Sequence, residues 1–583
     1  MSVLPNMREV LVASIIKKKI KNQTYYYYVE SKRVNGKPKL VNQKYLGTAK
    51  KLMESVVSPE KPPERRAIYS DVAEFGAVTL IYDIANRLGI TEIVDSVIPK
   101  RKQGASVGAY ILTALINRAT APSSKSGLSE WYANTCLPCV MGHKPTVFTP
   151  QNFWNNTCIS AENVDRIEEA ILKKIVDTYN IDTTHIIYDA TNFFTYIDTL
   201  QDCKLAKRGH DKAKRIDLRT VGLSLMVSPD FAIPLLHETY PGNRSDSMEF
   251  PIMIEKIKAR YETITKRAAD VTIVFDRGNN SEANIDLLES GKNKFHYVGG
   301  LKKNQAQEMF AIDRGEYKPL GCNELDGQSA CRREIKVYRR NLTVVIIYNP
   351  NLEKGQMQGI LFHRERTIIK LFDLQKKLVQ RANGEITKGK KPTIKSVTSA
   401  VEKILNVEYM RDIFRYKVME IDGNIRLAYE SSEEQLEHVR REYLGKTVLF
   451  TDRKDFTNEQ IVTAYRSAWH VESAFRQMKN TKYLTVRPIF HWTDEKIRIH
   501  IFSCVLAYRL CSLLIKELAD NGMSTCINRL IGEMAGIKRI FTFLGDMSAP
   551  EKVESFSVGS ELSEQVEKLY NLKERYSQVS TVR

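Results

Sequence analysis

The chain has 583 residues, of which 43% are hydrophobic, so it can bury a large core and form several domains. Its 88 Lys and Arg against 69 Asp and Glu give a formal net charge of +19, which favours a polyanionic partner, because neutralised phosphates release counterions. A basic protein without such a partner is the alternative. Nine cysteines, few and odd in number, argue against a disulfide framework and for a reducing, cytoplasmic compartment.

Residues 1–66 are predicted to form a basic β-hairpin region, since they hold fifteen Lys and Arg residues against five acids. Strand-like runs at 24–28 and 39–46 flank Asn35-Gly36, and an Asn-Gly pair favours a hairpin because both turn positions need positive φ. The hairpin either lies against a DNA backbone or is solvated while its tyrosines pack on the next domain. Both interpretations stay open, and the stretch 58–63 is predicted to be a linker.

Two different folding patterns follow along the chain. Residues 67–182 show apolar residues at helical spacing and are predicted to form a helical domain, which is a second candidate for binding DNA ends. From 183 to 305 the pattern changes to apolar runs of strand length, with a helical stretch at 248–266. Strands, a helix and a further strand predict the first part of a mixed α/β core.

Two conspicuous features are predicted to be structural. Cys136-Leu-Pro-Cys139 is a lone CxxC pair with a histidine and a further cysteine nearby. It fits either a zinc site or thiols buried among helices, and buried thiols are the preferred interpretation. The apolar stretch 501–515 is interrupted by Arg509 and is too short to span a bilayer, which predicts a core helix and no membrane partner.

Residues 306–445 are predicted to be a β-rich insertion in the α/β core, because part of this region alternates like strands. Within it, the basic segment 364–395 either contacts DNA or is a solvated loop. The last part of the core is predicted at 446–520, where a capping box that begins at Thr457 starts a helix. Residues 521–583 are predicted to form a C-terminal helical region.

Three acidic residues have the setting of metal ligands. Asp189 and Asp276 each end an apolar strand-like run, and Glu472 lies within a helical stretch. Each acid alone has a plain structural explanation, such as a turn hydrogen bond or a helix ion pair with Arg476. Their order of strand, strand and helix nevertheless predicts a phosphodiester site with two Mg²⁺ ions, for which Mn²⁺ substitutes. Such ions sit ~3.5–4 Å apart and prefer carboxylate oxygens.

The helical stretch around Glu472 carries further candidates. Tyr465, Glu472 and Lys479 are spaced by seven, so in one continuous helix they share a stripe with slight drift. A lysine near a metal-bound carboxylate clamps a phosphate as a point charge, and a tyrosine bonds to a phosphate or stacks. Trp469 either stacks in a cleavage complex or is a core residue, and the core role is the preferred interpretation.

This helix resembles the Tyr-x2-Arg-x3-Glu-x6-Lys signature of DDE transposases in the insertion sequence four superfamily. Tyr465, Glu472 and Lys479 match the signature, but Ala468 stands at the position of its arginine. Arg476 lies one turn beyond Glu472 and near the same stripe, so it is the better replacement for that arginine. The missing arginine bears on phosphate clamping more than on metal binding.

Four further segments resemble the same family and occur in its order. Together the likeness covers about 180–305 and 445–510. It implies a ribonuclease H-like catalytic core, interrupted by the β-rich insertion between the second and third acids. The segments are Gly209–Arg219, Pro241–Asp246, Gly300–Lys303 and Arg487–His491.

The resemblance implies a transposase that binds the inverted ends of its own insertion sequence, cleaves them with metal-activated water and transfers the 3′ ends into target DNA. Asp189, Asp276 and Glu472 would hold two Mg²⁺ ions. The residues that would position phosphates or a flipped base are Tyr465, Lys479 and Arg476. The implied partners are double-stranded DNA and a second copy in a synaptic complex, in a cytoplasmic, nucleoid-associated protein. The alternatives are a metal-dependent nuclease without strand transfer and an inactive DNA-binding relic.

Overall fold

The computed structural model divides the chain into two compact units. One unit contains the residues up to Val72 together with Ile540–Phe556, and the other contains Ala73–Arg539 and the chain from Ser557. The predicted linker at 58–63 lies outside the described residues, as do Asn35-Gly36 and most of the family-like segment 209–219. The structure describes residues 12–34, 37–57, 67–99, 104–197, 202–209, 217–265, 270–545 and 551–577.

The smaller unit contains two three-stranded sheets. The first is antiparallel and consists of β1 (Val12–Ile20), β2 (Gln23–Val34) and β3 (Lys37–Thr48), followed by the helix α1 (Ala49–Val57). The predicted hairpin is therefore confirmed, and one more strand precedes it. In the second sheet, β4 (Ala67–Glu74) pairs with a strand near the C-terminus of the chain.

The rings of the hairpin tyrosines contact one another. The Tyr45 ring lies 5.9 Å from the Tyr25 ring and 5.3 Å from the Tyr27 ring, measured between centroids. The ammonium group of Lys18 lies 5.0 Å from the centre of the Tyr27 ring. One face of the sheet therefore combines aromatic rings with a cation.

The larger unit begins with a helical region, as predicted. Its longer helices start at the side chains that favour helix N-termini: Ser106 caps α4 and Ser160 caps α8 by accepting backbone N–H bonds. Cys136 lies buried among these helices, and burial raises the pKa of its thiol to about 12, which fits a structural thiol. The helices are α2 (Gly76–Arg87), α3 (Ile90–Val97), α4 (Val107–Thr120), α5 (Leu128–Ala133), α6 (Leu137–Met141), α7 (Pro150–Asn156) and α8 (Ala161–Thr178).

A mixed sheet of nine strands forms the centre of the larger unit. The strand runs predicted between 183 and 305 are confirmed, and three strands of the predicted insertion extend the same sheet. The elements in chain order are β5 (His185–Thr195), β6 (Arg219–Val227), β7 (Pro234–Pro241), α9 (Asp246–Ala259), α10 (Tyr261–Thr265), β8 (Thr272–Phe275), α11 (Glu282–Glu289), β9 (His296–Gly300), α12 (Gln307–Phe310), β10 (Lys318–Pro319), β11 (Ser329–Val337) and β12 (Arg340–Tyr348).

The prediction of a β-rich insertion is wrong for the part after Tyr348, which is mostly helical and has its own hydrophobic core. The basic segment 364–395 is largely helix and not a loop. Its buried and half-buried residues together recur every three or four positions, and the charges between them obscure that period in the sequence. The elements are α13 (Pro350–Ala382), α14 (Ile394–Ile404), α15 (Met410–Ile413), β13 (Phe414–Ile421), β14 (Asn424–Ser431) and α16 (Glu433–Tyr443).

The last part of the chain returns to the central sheet through one strand and then covers it with helices. The predicted C-terminal helical region also contains strands, because the helix Ile527–Met534 is followed by one at Lys538–Leu544. That strand and the next form the second sheet of the smaller unit, in the order β17-β16-β4. The elements are β15 (Lys446–Thr451), α17 (Asn458–Arg466), α18 (Trp469–Met478), α19 (Asp494–Asp520), α20 (Ile527–Met534), β16 (Lys538–Leu544), β17 (Glu551–Phe556), α21 (Glu561–Tyr570) and α22 (Leu572–Ser577).

Helix α19 is the core helix that the apolar stretch predicts. Among the described residues it alone is long and apolar enough to cross a membrane, yet 89% of its most apolar window is buried within the protein. Its buried Arg509 donates to Glu168 at 2.9 Å, and Glu168 also contacts His237 and Arg260. Burial opposes ionisation of Glu168, but these three partners outweigh it and hold its pKa well below its usual range.

Candidate active site at the edge of the sheet

Asp189 and Asp276 lie side by side at one edge of the central sheet. Strands β5 and β8 are parallel neighbours, and Tyr188 on β5 pairs with Phe275 on β8. Asp189 is the next residue inside β5, which continues to Thr195, so the expectation that it ends a strand is wrong, whereas Asp276 directly follows β8. Both aspartates therefore lie at the same level across the two strands. Neighbouring strands are ~4.8 Å apart, which brings the two side chains within reach of one ligand. The two acids are therefore neighbours across the strands, and their binding of one pair of metal ions stays a prediction.

Local hydrogen bonds orient both carboxylates. Asp189 is half-buried, and its Oδ1 accepts the backbone N–H of Ala190 at 2.8 Å. Asp276 is exposed, and its Oδ1 accepts the backbone N–H of Arg277 at 2.7 Å. The hydroxyl group of Tyr465 lies 3.3 Å from the same Oδ1. Both of these bonds to Asp276 use one oxygen, so its Oδ2 takes no part in them.

The helix that carries Glu472 is broken, and the expectation of one continuous helix is wrong. Helix α17 ends at Arg466 and α18 begins at Trp469. Between them the N–H of Ala468 bonds to the carbonyl of Tyr465 at 3.2 Å, a tighter turn than the α-helical i to i−4 pattern. The predicted stripe of Tyr465, Glu472 and Lys479 therefore does not continue across the break. The position of each of these side chains is given by its own contacts.

Tyr465 is held against Asp276 by a close approach to the end of β9. A Cβ atom at Gly300 would lie 2.6 Å from the Tyr465 hydroxyl oxygen and 2.9 Å from Cγ of Arg277. Glycine is therefore required at this position for the tyrosine to reach the aspartate. Burial, and then the nearby charge of Asp276, raise the pKa of Tyr465 to about 12. The phenol is neutral at ordinary pH and donates to the carboxylate.

Lys479 reaches the strand of the first aspartate. It follows the last residue of α18, and its Nζ lies 2.7 Å from the Thr191 hydroxyl oxygen. The same ammonium group is 5.6 Å from the centre of the Phe193 ring. Thr191 and Phe193 alternate with Asp189 along β5, so all three side chains leave the same face of the strand. Lys479 thus lies two residues beyond Asp189 on that face.

Glu472 lies on α18, in sequence between Tyr465, which contacts Asp276, and Lys479, which contacts Thr191. Helix α18 packs on β5 and β6, while the Glu472 side chain is exposed, as is that of Arg476. The described part of the chain contains no group of three or more His, Cys, Asp or Glu side chains placed to hold a metal ion. The structure therefore brings the two aspartates together and leaves the third acid on the neighbouring helix. The same observation gives no support to a zinc site at Cys136.

Trp469 is not a core residue. Its side chain is 58% exposed and its ring centroid lies 4.0 Å from that of His470, so the preferred core interpretation is wrong. Both rings line a cleft of about 480 Å³ beside α18, together with Phe231 and Tyr508. Trp469 therefore presents an exposed aromatic ring at this cleft.

Sequence reasoning missed two residues that shape this site. Thr191, the partner of Lys479, was detectable as the residue two positions after Asp189 on the same strand face. Gly300 was detectable as the second glycine of a pair at a strand end, where a close backbone approach is common. The sequence did not indicate that Tyr465 occupies the space at Gly300.

The segment 487–491 extends this edge of the sheet. Ile489 forms a parallel bridge with Thr195 at the end of β5, and its carbonyl accepts the N–H of Tyr196 at 2.9 Å. The guanidinium group of Arg487 lies 5.8 Å from the centre of the Phe194 ring. A third cation besides Lys479 and Arg277 thus lies along the strands of the aspartates.

Comparisons with known proteins identify a family. The family model described as Transposase DDE domain matches residues 180–510, more than half of the chain. The matched region contains both aspartates and the helix with Glu472. Among solved structures, the cryo-EM structure of the piggyBac transposase synaptic complex with hairpin DNA has 8% sequence identity and a TM-score of 0.38, over 79% of this chain and 78% of that one. No curated protein matches the chain in sequence.

Proposed function

The chain belongs to the family of proteins with a transposase DDE domain, and on this premise we propose that it moves its own insertion sequence by cut-and-paste transposition. It would bind the inverted ends of the element, hydrolyse them and join the freed 3′ ends to target DNA. The observation that carries the proposal is the pairing of Asp189 and Asp276 at one edge of the sheet. The strands β7-β6-β5-β8-β9 around them support a ribonuclease H-like core.

The donor set fits a hard divalent cation. Three carboxylates and no thiol or imidazole are available from Asp189, Asp276 and Glu472, and Mg²⁺ prefers oxygen ligands. The partly exposed edge leaves room for the waters that Mg²⁺ retains. When bound, two Mg²⁺ ions would activate a water and stabilise the leaving oxygen, and Mn²⁺ would substitute. The exposed Glu472 completes this set only after its side chain turns toward the aspartates.

The surrounding residues position DNA. Lys479 is fixed by Thr191 at the strand of the first acid, where its charge holds a phosphate. Tyr465 holds the Asp276 carboxylate in orientation through its hydroxyl. Arg476 is exposed on α18 and reaches phosphates farther along the duplex. The basic sheet of the smaller unit, with Lys18 on its aromatic face, is a further contact for the DNA backbone. Two copies would join both ends in a synaptic complex.

The test is a reaction with DNA that carries the inverted repeats flanking the gene, a target plasmid and Mg²⁺. We expect nicked ends and joined products from the wild type. Asp189→Asn should lose both by at least ~10³-fold and keep its DNA affinity, because metal stabilisation of the reacting oxygens is worth several kcal/mol. Asp422→Asn, at an exposed turn far along the chain from both aspartates, is the matched control and should react normally.

The outcomes separate the three candidate functions. Cleavage by the wild type without any joined product would favour a metal-dependent nuclease. DNA binding without cleavage, in Mg²⁺ and in Mn²⁺, would favour an inactive relic. An Asp189→Asn variant that cleaves like the wild type would refute the metal role of the paired aspartates.

A further inference from the structure

Helix α13 carries an exposed apolar stripe that no other described part of the chain covers. The helix has 33 residues, and its inner face packs through Ile360, Leu371 and Leu378 on the separate core of the inserted region. Six large apolar side chains on a different face are between 37% and 59% exposed. These residues, called the α13 stripe below, are Leu361, Phe362, Ile368, Ile369, Phe372 and Val379.

The spacing of the α13 stripe is that of a helix-pairing surface. Leu361, Ile368, Phe372 and Val379 are separated by seven, four and seven residues, and Phe362 and Ile369 lie beside them. Apolar residues at such spacing form a seam that accepts a second helix. At 1.5 Å per residue, the stripe runs for about 27 Å along the helix. An apolar strip of this length is unusual for an uncovered surface and marks an interaction site.

Two charged residues within the stripe indicate which partner helix packs on it and in which direction that helix runs. Glu365 and Lys376 continue the same three- and four-residue spacing, and both are exposed. They stand five residues before and six residues after residue 370, the midpoint of the stripe. Two copies of α13 packed antiparallel about that midpoint place Glu365 of each copy opposite Lys376 of the other. A parallel pair would instead face Glu365 with Glu365 and Lys376 with Lys376, which is repulsive.

We propose that the α13 stripe is a self-association surface, and that two copies of this chain pair through α13 in an antiparallel, twofold-symmetric contact without DNA. An isologous contact of this kind is self-complementary, because each contact between two different residues occurs twice, once on either side of the twofold axis. The inner face of α13 holds the helix on its own core, so the surface exists before the partner arrives. This contact is independent of the proposed function and of any pairing of copies on DNA.

The test measures the oligomeric state of the full-length protein at micromolar concentration, without DNA or metal, by sedimentation equilibrium. We expect a dimer for the wild type. Phe372→Glu should raise the dissociation constant on the order of a hundredfold, because the change occurs twice in the pair and buries a charge in the seam. Ile394→Glu introduces the same charge at an apolar residue of α14 that is 46% exposed and outside the stripe, and should remain dimeric.

Charge reversal tests the antiparallel arrangement and affects only exposed side chains. Glu365→Lys or Lys376→Glu alone should weaken the dimer about tenfold, because an attraction becomes a repulsion at two symmetric positions. The double variant should recover wild-type affinity. A monomeric wild type, or a dimer unaffected by Phe372→Glu, would overturn the proposal. A dimer that is lost in Phe372→Glu but insensitive to the single reversals would overturn the antiparallel arrangement.

Discussion

The two aspartates and the helix with Glu472 differ in how their positions are fixed. Asp189 lies inside β5 and Asp276 directly follows β8, two inner strands of a nine-stranded sheet, and the residues before them, Tyr188 and Phe275, are at most 1% exposed. Glu472 lies on a short helix after a break, with its side chain in solvent. The sheet therefore fixes the positions of both aspartates, whereas packing does not fix the exposed side chain of Glu472.

The variant Glu472→Gln is expected to have the largest effect, and it tests whether Glu472 acts together with the two aspartates. We expect at least a ~10³-fold loss of cleavage, because a carboxylate needed to hold the metals becomes an uncharged amide. The melting temperature without metal should stay the same, since the side chain is exposed. Single-turnover cleavage and thermal unfolding check the two statements.

Glu420→Gln, an exposed strand residue of the inserted region, is the control for the loss of one negative charge. Mg²⁺ should also raise the melting temperature of the wild type more than that of Glu472→Gln, because bound metal stabilises the folded state. Equal shifts would show that Glu472 does not join the aspartates.

A smaller effect is expected where the helix meets the strand of the first aspartate. Lys479→Met keeps the length of the side chain and removes its charge, so it should lower cleavage by roughly 10- to 100-fold through loss of a phosphate contact. The slope of log affinity for element-end DNA against log salt concentration should become shallower by the amount that corresponds to about one phosphate contact.

Lys482→Met, three residues beyond and exposed, is the matched control, and it should lower cleavage far less. An unchanged salt slope in Lys479→Met would mean that the contact with Thr191 is structural only. In that case the helix would still be held on the strand, but the lysine would not bind DNA.

The smallest effect is expected at Gly300, against which the hydroxyl group of Tyr465 packs. Gly300→Ala places a methyl group 2.6 Å from the tyrosine hydroxyl oxygen, so it should cost about 1–3 kcal/mol of stability and shift the tyrosine from Asp276. Adding Tyr465→Phe to the same chain should recover part of that loss, because the closest atom is then absent. Chemical denaturation of the single and double variants measures both.

Gly321→Ala is the control for this pair, since its new methyl group would meet no atom within 4 Å. If Gly300→Ala is as stable as the wild type, the close approach at the end of β9 does not restrain Tyr465. If Tyr465→Phe recovers nothing, the clash lies with Arg277 instead.

Sequence pattern predicted the strands better than it predicted the inserted region. Apolar runs of strand length, such as the one before Asp189, are a strong signal for a buried strand. Helix α13 has two apolar faces with many charges between them, and its pattern was therefore interpreted as strand and loop. Buried residues alone would have shown the helical period, but burial is a property of the folded chain.

The sequence by itself determined the chemistry of the candidate site: two carboxylates after apolar runs, a third on a late helix, and Tyr465 and Lys479 around it. Only the tertiary structure decided which of them meet. Parallel pairing of β5 and β8 puts Asp189 beside Asp276, and Gly300 admits Tyr465 to that edge. The physical reason is that residue type fixes what a side chain can bind, whereas strand register and helix packing, which depend on contacts between distant parts of the chain, fix where it lies.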